Sequence, residues 1–95
     1  MEINEFAKDV HAVTVEHGWW TEDDDIPAKL LMIHSEVSEA VDAYRHNLSM
    51  SEELADVLIR TLDLMEYLDI DIEGILGYKH AKNKTRKYRH GNLLI

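Results

Sequence analysis

The chain has 95 residues with nineteen acidic and ten basic side chains, six His and no Cys, for a formal charge of −9. That length supports one domain, burying about 60–65% of its unfolded surface, and a partner subunit is a natural source of further core. The lack of Cys excludes a disulfide framework, a thiolate zinc site and a cysteine nucleophile, while the absence of any apolar run near the ~20 residues of a membrane span and the acidic start Met1-Glu2-Ile3-Asn4-Glu5 lead us to expect a soluble, cytoplasmic protein.

One Pro and four Gly leave few breaks, and apolar residues recur at helical spacing, so the predicted fold is all-α. The first helix is expected over about residues 2–17, with Ile3, Phe6, Ala7, Val10 and Val13 on one face and Gly18 as its stop. Trp19 and Trp20 follow, then Thr21-Glu22-Asp23-Asp24-Asp25, whose acids suit the start of the next helix, and Pro27 suits its first turn. The second helix spans about 27–46, with Leu30, Ile33, Val37, Ala40, Val41 and Tyr44 as its core stripe and His34 packed and hydrogen-bonded at the flank. Ser49 with Glu52 reads as a capping box for a third helix over about 50–68, whose stripe is Leu54, Val57, Leu58, Thr61, Leu62 and Met65. Asp71 is the expected N-cap of a fourth helix over about 72–89, with Gly91 ending it. Four amphipathic helices with short links imply an antiparallel four-helix bundle, completed by self-association.

Charge divides sharply along the chain. Residues 1–73 hold all nineteen acids against four cations, a balance of −15, and residues 74–95 hold six cations and no acid. Either the acidic faces are solvated and the basic helix folds back on them, or cations and a polyanion meet at a site.

Two acidic pairs at i, i+3 bear on that choice: Glu36 with Glu39 on the second helix and Glu53 with Asp56 on the third. Such residues lie on one side of a helix a turn apart, close enough for both carboxylates to reach one cation. Both pairs fall away from the core stripes, so each central helix has a second, partly acidic face. Facing carboxylates are tolerable only with neutralising cations, and hard oxygen ligands without Cys or His point to Mg²⁺, with Mn²⁺ as the alternative. The competing reading is solvated acids, with Asp56 paired to Arg60 at i+4. No His has a Glu three positions before it, which removes a ferritin-like di-iron site. The stretch Asp69-Ile70-Asp71-Ile72-Glu73-Gly74 imitates a calcium loop, but its twelfth position is His80.

The run Ile33-His34-Ser35-Glu36-Val37-Ser38-Glu39-Ala40, then Glu52-Glu53-Leu54-Ala55-Asp56-Val57-Leu58-Ile59-Arg60, then Asp69-Ile70-Asp71 leading to Lys79, Asn83 and Arg86, resembles the MazG-like all-α nucleoside triphosphate pyrophosphohydrolases over about residues 27–91. The resemblance implies Mg²⁺-dependent hydrolysis of a nucleoside or deoxynucleoside triphosphate to the monophosphate and pyrophosphate. It assigns metal binding to Glu36, Glu39, Glu53 and Asp56, and substrate binding to Lys79 and Asn83. It also implies a homodimer or a homotetramer, with sites near subunit interfaces. Many members have a further Glu directly before the E-x-x-E, and here that position is Ser35.

The physical chemistry agrees with that assignment. A triphosphate would be repelled by four carboxylates unless divalent cations bridge them, and a water activated by those cations is a suitable nucleophile for the α-phosphorus. Lys79, Asn83 and Arg86 share a helical face at i, i+4, i+7 and suit a phosphate channel, whereas Lys82, Lys84, Lys87 and Arg89 read as solvated charges near a helix end. Trp19 and Trp20 are candidates for stacking on a base or for closing the core or an interface. Overall acidity disfavours nucleic acid as a partner. The alternative function is a catalytically silent helical interaction module or nucleotide sensor.

Overall fold

The computed structural model describes residues 1–21 and 25–86. Within them the chain forms four helices and no strand: α1 (Ile3–Glu16), α2 (Ile26–Arg45), α3 (Ser51–Tyr67) and α4 (Ile72–Lys84). None of these helices is long and apolar enough to cross a membrane.

Three of the four helices end in the same way. Gly18, Asn47 and Asp69 have φ of 77°, 58° and 57°, and each turns the chain out of a helix in a Schellman arrangement. At the end of α1 the Gly18 and Trp19 amides donate to the Val15 and Thr14 carbonyls, at 3.1 and 2.9 Å. Leu48 and Ile70 donate in the same way to Ala43 and Met65. Asn and Asp tolerate the left-handed region better than other side chains, which is why two stops without glycine serve here.

The helix starts are more varied. Asp25 caps α2 by accepting from the Ala28 amide at 2.8 Å, with Pro27 in the first turn. Asp71 caps α4 by accepting from Gly74, at 3.1 Å. The expected capping box at Ser49 does not form: α3 begins at Ser51, Met50 sits at the cap without a side-chain bond, and the Ser49 hydroxyl accepts from the Ser51 amide at 3.2 Å. The Asn47 turn leaves Ser49 one residue too early to reach the third helical amide. Helix α4 is shorter than expected, with Thr85 at its C-cap; the predicted stretch through Lys87, Tyr88 and Arg89 to Gly91, like Glu22, Asp23 and Asp24, lies outside the described residues.

Helix α3 is the hub. It packs along both α1 and α2, while α4 touches α1 and α3; among the described residues α2 packs on neither α1 nor α4. Among the described residues the bundle is therefore not closed. The apolar core, where α1, α3 and α4 meet, is Ala7, Leu62 and Ile72, with Ile3, Phe6, Met65 and Ile70 against it.

The predicted stripe of α2 is corrected. Leu30, Val37, Val41 and Tyr44 are exposed, as are Leu54 and Leu58 on α3, and the buried residues of α2 are Lys29, Ala40 and Ala43. His34 is also exposed rather than packed. Helix α2 is apolar on two sides, and its narrow, small-residue side approaches α3 because alanines allow close helix contact; the larger side chains are left facing outward. The radius of gyration, 15.8 Å, exceeds the about 13 Å of a compact chain of this size.

Candidate metal and phosphate site

Helices α2 and α3 form a hairpin, so residues equally far from its turn come together. Glu36 and Arg60 are such a pair, and Arg60 Nε donates to Glu36 Oε1 at 3.2 Å with both side chains largely buried. The i+4 pairing of Arg60 with Asp56 is thus superseded by a cross-helix bond to a member of the other acidic pair. The Arg60 guanidinium also lies over the Trp19 ring, 3.8 Å from its centroid.

The four acids are electrostatically joined. Glu39 is held above the ordinary glutamate range, first by its hydrogen bond with the Glu36 side chain and by the Glu36 charge, then by burial and the charges of Glu53 and Asp56. In its protonated form Glu39 donates to Glu36. The Arg60–Glu36 bond ties the two helices together beside their acidic pairs, and the charges of Glu36, Glu53 and Asp56 act on Glu39 in the same direction. Among the described residues, no three His, Asp or Glu side chains converge tightly enough to hold a metal ion as they stand. Carboxylate oxygens are the donor type that hard divalent cations take, but one of these acids, Glu36, is engaged by Arg60.

The cationic residues of α4 are elsewhere. Lys79 and Asn83 are exposed on a helix that does not pack on α2. Arg86 lies two residues past the end of α4, so the spacing that placed it on their face stops short; its amide donates to the Asn83 carbonyl at 3.3 Å. Within one chain these three are not brought to the carboxylates.

Trp19 and Trp20 separate into two environments. Trp19 is 44% exposed and stands beside the carboxylates through Arg60. Trp20 belongs to a buried polar cluster around Asp63, which is 5% exposed. Asp63 accepts from Thr14 Oγ1 at 2.7 Å, from Trp20 Nε1 at 3.0 and 3.2 Å, and from His11 Nδ1 at 2.7 Å. Trp20 stacks on Tyr67 with centroids 4.2 Å apart, and Lys29 Nζ sits 4.2 Å over its ring while donating to the Trp19 carbonyl. Sequence reasoning misses Asp63, Thr14, His11 and Tyr67. The available signal is an acid on α3 falling in register with apolar neighbours Leu62 and Leu64, since a buried acid requires donors.

Asn4 is a second unforeseen link. Its amide donates to Asp71 Oδ1 at 2.9 Å and its oxygen accepts from the Glu73 amide at 3.0 Å, so α1 supplies part of the cap of α4. These bonds hold the Asp71 carboxyl below the ordinary aspartate range, Asn4 contributing most and the Gly74 amide next.

In comparisons with known proteins the chain matches no family model, no curated protein and no solved structure.

Proposed function

We propose that this chain is a cytoplasmic, divalent-metal-dependent nucleoside triphosphate pyrophosphohydrolase of the MazG-like kind. One observation carries the reading: Arg60 of α3 bonds Glu36 of α2 and so ties together the two helices that bear the acidic pairs, with Glu39 pushed toward protonation by Glu36, Glu53 and Asp56. A fold that concentrates carboxylates in this way retains them where a cation offsets the repulsion. The motif order that resembles the family supports the same assignment.

In this reading Glu36, Glu39, Glu53 and Asp56 hold Mg²⁺ or Mn²⁺. When bound, the cation neutralises the triphosphate and acidifies a water. The protein's own part is to place donors from two helices on one side of the α-phosphorus and to keep an unprotonated carboxylate there to orient and receive a proton from the attacking water. Trp19, exposed beside the carboxylates, is positioned to stack on a base.

Lys79 and Asn83, with Arg86 nearby, provide the cations and the amide that steady the departing pyrophosphate. Because α4 does not reach α2 in its own chain, these groups serve the site of a second copy. The exposed Leu30, Val37, Val41, Tyr44, Leu54 and Leu58 supply the apolar surface for that homodimer or homotetramer.

The test is a panel of standard and modified ribo- and deoxyribonucleoside triphosphates with Mg²⁺ or Mn²⁺, assayed for phosphate before and after added pyrophosphatase. Signal that appears only after pyrophosphatase supports the reading. Nucleotide binding by calorimetry with no turnover of any member overturns it in favour of a nucleotide sensor.

A further inference from the structure

We draw no further inference here: the strongest candidate, the open apolar groove between α1 and α3 walled by Phe6, Val10, Val13, Ile59 and Trp19, carries nothing because among the described residues nothing shows what covers it.

Discussion

Among single residues, the best-satisfied polar group is Asp63. It is buried between α1 and α3 and takes hydrogen bonds from a hydroxyl, an indole and an imidazole. With the carboxylate as acceptor, His11 carries its proton on Nδ1. Removing the carboxylate strands these donors, so Asp63→Ala is expected to cost on the order of 3 kcal/mol, measured by urea denaturation. Loss of under about 0.5 kcal/mol would show that the cluster does not hold the double-tryptophan turn to α3. Asp71 acts at the surface and its signature is pH dependence. Its carboxyl is depressed by Asn4 and by the Gly74 amide, so at acidic pH the folded chain binds fewer protons there than the unfolded chain. The stability it contributes is present above the ordinary aspartate range and is lost as pH falls through the depressed folded value. Asp71→Asn is expected to flatten that limb of the stability curve, read as melting temperature against pH; an unchanged slope would contradict the role given to the Asn4 contact.

Among the helices, count, order and approximate limits are legible in the sequence because they follow from local chemistry: apolar period, Asp caps and left-handed stops. Asp25, Asp71 and Gly18 act as read. Ser49 does not, since a cap depends on where the preceding turn delivers the chain, and Asn47 sets that one residue differently. The facing of α2 is not legible. A helix with Leu30, Val37, Val41 and Tyr44 on one side and Ile33, Ala40 and Ala43 beside it offers two apolar sides, and periodicity alone does not say which one meets its own chain. The acidic pairs are legible as pairs, from i, i+3 spacing, but the Arg60 bond to Glu36 arises from the length of the hairpin turn. Glu53→Gln removes a donor from the proposed site while preserving shape and relieving repulsion on Glu39. Its expected effect is loss of kcat/KM for pyrophosphate release on the order of 10²-fold, with folding retained by circular dichroism. Unchanged kcat/KM would remove Glu53 from the site.

Across the whole molecule, charge and exposed apolar surface belong together. Residues 1–73 carry −15 and residues 74–95 carry +6, and among the described residues α4 packs on α1 and α3 but not on α2, which bears Glu36 and Glu39. Ile72 is the only large side chain fully buried among the described residues. In the proposed assembly, a second copy covers the outer side of α2 and brings its basic helix to the acids. Val37→Asp with Val41→Asp is expected to shift the sedimentation coefficient to that of a single chain and to abolish pyrophosphate release together; a double variant that stays assembled and active would remove this surface from the interface. Everything proposed for the site depends on the reaction itself, which phosphorus NMR reads in a nucleoside triphosphate incubated with the protein and Mg²⁺. Resonances of the monophosphate and of pyrophosphate are expected in equal amounts, both absent without the divalent cation. A diphosphate with orthophosphate, or a triphosphate left intact across the nucleotide panel, would contradict the assignment.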